Sequence, residues 1–528
     1  MKFIDKVKGV FMKMGADTKA AREFRDIFEL DGVPPFREFY NDGILIWKRL
    51  YRGFYDKWHL IGAPTVADPS NKRQMYRMNL SKAVCAELAG LIWSEQCRVN
   101  VNLTGFTPTE NEPEDKAQRF IDSVLSNNNF GVKMQESIEQ MLALGGLALK
   151  VWHDSDKGVK LGYAMADQFV PVSWDNARVF DGVFISRQAK GGFYFTRLEW
   201  HRQRGTSYAI INELYRADMR NKKNEPQDIL GYRYPLSEIY PELEPETIIE
   251  GLDSPLFSYA RTPIANNLDD NSPLGVSVYG NALETLHALD ICYDSFVREF
   301  RLGKKRIIVP ASAIRNVVDP NTGASLRYFD ASDETYEALS SDDPADLKIS
   351  DNSVELRVEE HVAALNAFLA VLCLQLGFSA STFSFDVKNG IKTATEVITE
   401  NSKTYKTVKS CQNCIEPAIR ALVRNIFRIA VLYDLDFEGE KVASWFGGDI
   451  DSGYECSVYW DDSVIEDKAS QIDRDILLLS NGLKSKRTVM TTTLGMTEEQ
   501  ADAELKRIAE ESRINAFDVD RFAAFGGN

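Results

Sequence analysis

The chain has 528 residues, 62 basic against 78 acidic side chains for a formal charge of −16, and 44% hydrophobic residues. It is long and apolar enough for about three or four domains with buried cores, which excludes global disorder. The longest run of apolar side chains, Ala367 to Leu374, has eight members, short of the ~20 that a membrane-spanning helix needs, so no transmembrane segment is expected.

Asp5, set between Lys2 and Lys6, interrupts the apolar stretch of a secretory signal, and the protein is expected to stay in the compartment where it is made. The seven cysteines, Cys85, Cys97, Cys292, Cys373, Cys411, Cys414 and Cys456, are odd in number and scattered, which fits a reducing cytoplasm better than a disulfide scaffold. Cys411 and Cys414 form a C-x-x-C, but no second pair follows and no histidine lies beyond His361. They read as two small residues on a helix, not as a zinc or redox site.

In chain order, Met78 to Trp93 carries Leu80, Val84, Leu88 and Leu91 as one apolar stripe, with Ser81, Lys82 and Glu87 off it; this spacing predicts an amphipathic helix. Thr107 to Asp115 holds two prolines and four acids and no apolar side chain, so a solvent loop is expected before helices at Lys116 to Leu125 and Val132 to Leu144. Gly145-Gly146 ends the second. From Leu147 to about Ile249 the period becomes two, with strands expected at Leu147 to Trp152, Val183 to Gln188, Phe193 to Trp200 and Tyr208 to Tyr215 of a twisted antiparallel sheet. Asp218 to Gly251 reads as loops and an edge.

Ala282 to Leu302 then places Leu283, Leu286, Leu289, Tyr293, Phe296 and Phe300 three or four apart, predicting ~30 Å of helix. Glu284, Asp290 and Asp294 precede Arg298 and Arg301, an order that suits the helix dipole and offers an Asp294 to Arg298 pair. Gly303 stops the helix. Short strands are expected at Arg306 to Val309 and Leu326 to Phe329, and a second helix at Glu359 to Leu376 with Val362, Leu365, Leu369, Leu372 and Leu376 as its stripe. Two helices of similar length thus flank one small domain. After a loop, Thr393-Ala394-Thr395-Glu396 has capping-box spacing, and a long helix runs to about Tyr433 with a kink expected near 413–416, ahead of Pro417. Glu455 to Trp460 reads as a strand, and Asp467 to Ser512 as helical, with Met496-Thr497-Glu498-Glu499 starting one helix.

Signals for chemistry are weak. Gly275-Val276-Ser277-Val278-Tyr279-Gly280 precedes a helix, yet Asn281 and Ala282 stand where a phosphate loop needs Lys and Ser/Thr; the glycines read as a bend. Asp386-Val387-Lys388 has the acid-x-lysine spacing of metal-dependent nucleases, but no upstream metal-binding acid accompanies it. Five histidines without HExxH spacing and no G-x-S-x-G leave a hydrolase unsupported. Arg301, Lys304, Lys305 and Arg306 are four bases within six positions; they read as a solvated complement to a helix C-terminus or as a contact for a polyanion.

Taken together, Arg77-Met78-Asn79-Leu80 through Trp93-Ser94-Glu95, Pro273-Leu274-Gly275-Val276-Ser277 with Asp290, Gly303-Lys304-Lys305-Arg306-Ile307, Gly377-Phe378-Ser379, Phe383-Ser384-Phe385-Asp386 and Thr393-Ala394-Thr395-Glu396-Val397 resemble the portal proteins of tailed bacteriophages, from the long-tailed branch that infects Gram-positive hosts. The similarity runs over about residues 75–500. It implies an α+β, mainly helical subunit with wing, stem, clip and crown: residues 1–278 as wing, 279–303 as stem helix, 304–358 as a small α/β clip, 359–377 as second stem helix, 378–392 as tunnel loop, 393–465 as long wing helix and strand, and 466–528 as crown and tail.

The resemblance further implies a structural protein without catalytic residues, metal or cofactor. Its dodecameric ring sits at one capsid vertex and passes double-stranded DNA during packaging and ejection. The implied partners are copies of itself, the DNA, the terminase large subunit (the packaging ATPase), head-tail adaptors, and the major capsid and scaffolding proteins; no membrane is implied. Lys388, Asn389 and Lys392 would be the loop residues that meet DNA, and Arg301, Lys304, Lys305 and Arg306 the basic cluster of the clip. A metal-dependent nuclease using Asp386 and Lys388, and a non-ring adaptor protein, are the alternatives. An acidic ring suits a channel, because it does not grip the phosphate backbone as a basic sleeve would, and the DNA can slide.

Overall fold

Gly145 marks the switch from helix to sheet. It caps a helix at φ +92°, and its carbonyl lies so close to Gly275 that a Cβ on Gly275 would sit 2.0 Å from it. Gly275 therefore serves a backbone-to-backbone contact that no side chain could enter. In this computed structural model the described residues are 22–63, 68–107, 114–176, 178–220, 229–303, 306–308, 315–318, 325–328, 350–352, 355–379, 382–383, 394–461, 468–493, 501–502 and 504–508.

The first helices are α1 (Leu45–Tyr51), α2 (Leu80–Ile92), α3 (Lys116–Asn127) and α4 (Phe130–Leu144). Asp115 caps α3, accepting from the Ala117 amide at 2.9 Å and from the Leu103 amide at 2.6 Å. The apolar stripe of α2 is wider than its sequence spacing indicates. It buries Ser81, Cys85, Ala89 and Ile92 beside Val84 and Leu88, while Leu80 and Leu91 are only partly covered. Helices on both flanks of α2 account for this, and Ser81 lies inside the core, not off the stripe.

A short hairpin, β1 (Leu60–Gly62) with β2 (Lys72–Gln74), and the strand β3 (Arg98–Leu103) lie among these helices. The sheet region contains β4 (Gly146–Asp154), β5 (Gly158–Met165), β6 (Phe169–Asp175), β7 (Arg178–Lys190), β8 (Phe193–Arg204), β9 (Ser207–Asp218), β10 (Tyr232–Tyr234), β11 (Glu246–Glu250) and β12 (Phe257–Arg261). One sheet has the order β10-β9-β8-β7-β6 with β11 also on β9, and a second has the order β12-β4-β5; all pairings are antiparallel. The sequence marks β4, β7, β8 and β9 but not β3, β5, β6 or β12.

Helix α5 (Leu283–Leu302) leads to the short strands β13 (Arg306–Ile308), β14 (Arg315–Val318), β15 (Ser325–Tyr328) and β16 (Ser350–Asn352), in which β13 pairs β16 and β14 pairs β15. Helix α6 (Val358–Leu376) returns, and α7 (Ala394–Leu432) is a single helix of 39 residues that stays continuous through Pro417. Two short strands, β17 (Asp436–Phe437) and β18 (Glu440–Lys441), follow, and β19 (Tyr454–Tyr459) pairs with β3 across more than 350 residues. Helices α8 (Lys468–Ser480) and α9 (Lys486–Thr492) follow, and residues 501–502 and 504–508 are helical too; Met496 to Glu499 lies outside the described residues, as does Thr393 of the expected capping box. The chain is mixed α+β, with 43% helix and 26% strand.

One expectation is corrected. Helix α6 is long and apolar enough to cross a membrane by length and composition, with a mean hydropathy of 1.3. Counting only the uninterrupted run from Ala367 to Leu374 misses this, because a helix averages its single polar breaks, such as Asn366 and Gln375, over its whole length. Its partner α5 carries Glu284, Asp290, Asp294, Arg298, Glu299 and Arg301, and α6 buries Leu365, Leu369, Leu372, Cys373 and Leu376. We read α6 as a packed helix.

Candidate functional site

Helices α5 and α6 form an antiparallel hairpin, as the contacts at the end of α5 establish. Arg357, at the start of α6, donates to both oxygens of Glu299 at 3.1 and 2.9 Å, and Phe296 and His361 have ring centroids 5.2 Å apart. The hydrogen bonds from Arg357 hold the Glu299 carboxyl down at about 2. A Cβ on Gly303 would lie 2.5 Å from Leu356, so glycine there lets the two chain ends meet.

The base of the hairpin is fixed to the N-terminal region by two carboxylates one turn apart on α5. Asp294 accepts a fork from Arg73 at 2.8 and 2.6 Å and a third bond from the Tyr76 amide at 3.1 Å. Asp290 accepts from the Met78 amide at 2.9 Å, with His59 Nε2 3.2 Å away. Trp58 stacks on His287 at 4.7 Å. The expected Asp294 to Arg298 pair is therefore corrected: Arg73, more than 200 residues earlier, supplies the guanidinium. A helical neighbour is legible from spacing; a partner on a separate hairpin is not.

At the other end, Gly377 at φ +77° stops α6, and its carbonyl accepts from Thr407 Oγ1 at 2.7 Å. The Ser379 amide donates to Thr404 Oγ1 at 2.9 Å. These two bonds tie the end of α6 to α7. Phe378 is buried and packs edge-on to the half-buried Phe383 at 5.4 Å.

Of the residues singled out from sequence, Arg301 is exposed near the end of α5 and donates to the Tyr76 hydroxyl at 2.9 Å. Arg306 lies in β13 opposite Asn352. Lys304, Lys305, Asp386, Lys388, Asn389 and Lys392 lie outside the described residues. Cys411 and Cys414 sit one turn apart on α7, and burial pushes the Cys411 thiol up to about 12, which disfavours the thiolate needed for ligation or exchange. Among the described residues no group of three metal-binding side chains is poised to hold an ion. Sequence reasoning missed His59, Arg73 and Tyr76 as anchors; the only hint was a short polar strand ahead of α2.

The hairpin leaves apolar surface uncovered. Phe368, Val371 and Leu374 of α6 are 38, 45 and 68% exposed, and Ile291 and Phe300 of α5 about half exposed. Val371 and Leu374 lie on the side of α6 away from its buried residues, and Phe368 borders them. Such a hairpin, apolar outside and anchored at its base, belongs to a subunit that packs against neighbours. Phage portal proteins are structural proteins of that class, and the family described as phage portal protein, SPP1 Gp6-like, matches residues 42–516. The chain belongs to this family. Membership implies a virion capsid component that associates with other subunits in a ring. No curated protein matches the sequence.

Proposed function

We propose that the chain forms the ring at one vertex of a tailed-phage capsid, through which double-stranded DNA enters during packaging and leaves during ejection. The ring is dodecameric, as in the portal proteins the sequence resembles, and the phage is a long-tailed one of a Gram-positive host. In this reading α5 and α6 are the stem, residues 304–358 the clip, 378–392 the tunnel loop and 466–528 the crown and tail, with the remaining segments as wing. The clip receives the packaging ATPase and, later, head-tail adaptors, and the wing faces the capsid and scaffolding proteins. Assembly takes place in the host cytoplasm.

The observation that carries this reading is the uncovered apolar face of α6 on a hairpin whose other face is already packed. A ring built on one repeated contact covers that face on every subunit. Val371→Glu with Leu374→Glu places charges there without touching the monomer core. We expect the far-UV circular dichroism to be unchanged and the ring population in sedimentation to be lost. Rings that persist in the double variant would show that another surface holds the subunits together.

The loop and clip cations are proposed as DNA contacts. Lys388 and Lys392 flank Asn389-Gly390 just ahead of α7 and would project into the channel; Arg301, Lys304, Lys305 and Arg306 would ring its mouth. Lys388→Ala with Lys392→Ala is expected to leave assembly intact and to lower the DNA packaged or retained per head. The difference from the parent should narrow as salt rises, because exposed phosphate contacts are screened. Full-length DNA packaged and held normally by the double variant at every ionic strength would remove the lysines from the path.

A further inference from the structure

Strand β11 is a sheet edge with an unused row of backbone groups. It pairs with β9 over Glu246 to Glu250, and β8 takes the other side of β9. At its two ends the Asn212 amide donates to the Pro245 carbonyl at 2.8 Å and the Gly251 amide to the Thr206 carbonyl at 3.0 Å. In an antiparallel ladder the pairs that exchange hydrogen bonds recur at every second residue, so Thr247 and Ile249 bond to β9 while Glu246, Ile248 and Glu250 turn their amides and carbonyls away from it. No described residue bonds to those outward groups. The three side chains are exposed as well, Ile248 at 52%. Further along the same side of β9 the edge is taken, because Phe24 and Gly231, next to β10, exchange both backbone bonds at 2.9 Å.

An open edge of this kind is a template for an added strand, and the charge around it selects the strand. Glu238, Glu242, Glu244, Glu246, Glu250 and Asp253 stand between Arg233 and Arg261 with no base among them. Glu242, Glu244 and Glu250 are exposed and have no ion-pair partner among the described residues. The C-terminal end of β11 opens on a cleft of about 400 Å³, lined by Glu250, Asp253, Asp449 and Asp451 against one cation, Arg428. Arg428 pairs with Asp253 and Asp451 at 3.0 Å, which leaves Glu250 and Asp449. Val431 and Leu432 give the cleft an apolar wall, suited to the stem of a lysine or arginine side chain.

We propose that β11 takes up an extended segment of another protein with lysine or arginine at alternate positions. The backbone of that segment completes the row at Glu246, Ile248 and Glu250, and one of its cations enters the cleft. The same edge of a second copy is a poor fit: two β11 strands paired antiparallel about Ile248 set Glu246 opposite Glu250 twice, and like charges directly opposite destabilise a ladder. A nucleic acid is repelled by the same carboxylates. The surface is built from elements other than the α5 and α6 hairpin, so it does not depend on a ring contact through α6.

A labelled octapeptide alternating lysine and threonine tests this on the full-length protein, read by fluorescence anisotropy and amide hydrogen exchange. It should bind and slow exchange at Glu246, Ile248 and Glu250, whose amides exchange faster than those of Thr247 and Ile249 in the free protein. The same peptide with glutamate for lysine, or with methylated backbone nitrogens, should bind about tenfold or more weakly. Ile248→Pro removes an amide that faces away from β9 and should weaken binding about fivefold to tenfold. Glu250→Lys leaves the backbone of the edge intact and should give a similar loss even if the proline disturbs β11. Absence of binding by the lysine peptide, equal binding of its methylated form, or binding unchanged in Glu250→Lys overturns the proposal. Slow exchange at the three amides before any peptide is added also overturns it, by showing the edge already filled by this chain or a second copy.

Discussion

Glu199→Ala is expected to lower the unfolding free energy by about 3–5 kcal/mol, the usual cost of breaking a buried ion cluster by removing one partner. Glu199 on β8 accepts from Lys150 of β4 at 2.7 Å through both oxygens, from Arg197 at 2.8 Å and from His201 at 2.9 Å, with its side chain 12% exposed. The cluster joins the two sheets. His201 Nδ1 lies 2.7 Å from the Tyr208 hydroxyl, which accepts from the Leu256 amide at 3.2 Å. The Glu199 carboxylate can only accept, so Nε2 carries the ring proton and donates to it, and Nδ1 of the neutral ring then accepts from the Tyr208 hydroxyl. Burial lowers the His201 pKa and keeps the ring neutral. Removing Glu199 would leave Lys150 and Arg197 facing each other with no anion between them.

The same cluster sets an acid limit. Burial alone would raise the Glu199 carboxyl, but Lys150, His201 and Arg197 outweigh it and hold it far below its ordinary 4.5. A depressed carboxylate contributes stability that is fully present above its unfolded pKa and is lost as pH falls through the folded one. Parent stability should therefore decline below about pH 4.5, and the decline should be shallower in Glu199→Ala. Urea midpoints between pH 3 and 7 measure both effects; equal slopes in parent and variant would show that other carboxylates set the acid limit.

Asp294→Ala is the second large effect, expected at about 3 kcal/mol. The carboxylate, 6% exposed, satisfies the Arg73 fork and the Tyr76 amide together, and alanine leaves both donors without an acceptor. Burial works against the charge, yet Arg73 and the Tyr76 amide still keep the Asp294 pKa low, so the native site binds it ionised. The loss should be local to the hairpin anchor: amide exchange should rise in β2 and around Asp294 in the middle of α5 while the β4 to β9 sheets stay protected. Arg298→Ala, which removes the cation the spacing favours, should cost less than about 0.5 kcal/mol. A larger loss for Arg298→Ala than for Asp294→Ala would contradict the assignment of Arg73.

These residues also show what the sequence holds. Helices α5 and α6 are legible to within a residue at each end, because their stripes are local and each ends on a glycine, Gly303 or Gly377. Strand β5 is harder to see. Gly162 looks like a breaker, yet a Cβ there would lie 2.9 Å from the Trp152 ring; the glycine makes room for a tryptophan on the adjacent strand. Strand β3 alternates Val99 and Val101 into the core, but its partner β19 arrives only after the rest of the fold has been built. The hairpin was readable, and its anchors were not, since Arg73 and His59 find their acids through tertiary packing alone.

The central claim is that this chain closes into a ring around a channel. Electron microscopy of the purified full-length protein, together with heads assembled from it, tests that claim most directly. The account predicts closed rings with an axial channel, and one such ring at a single vertex of each head. A strictly monomeric particle throughout the micromolar range, with no ring in assembled heads, would contradict it.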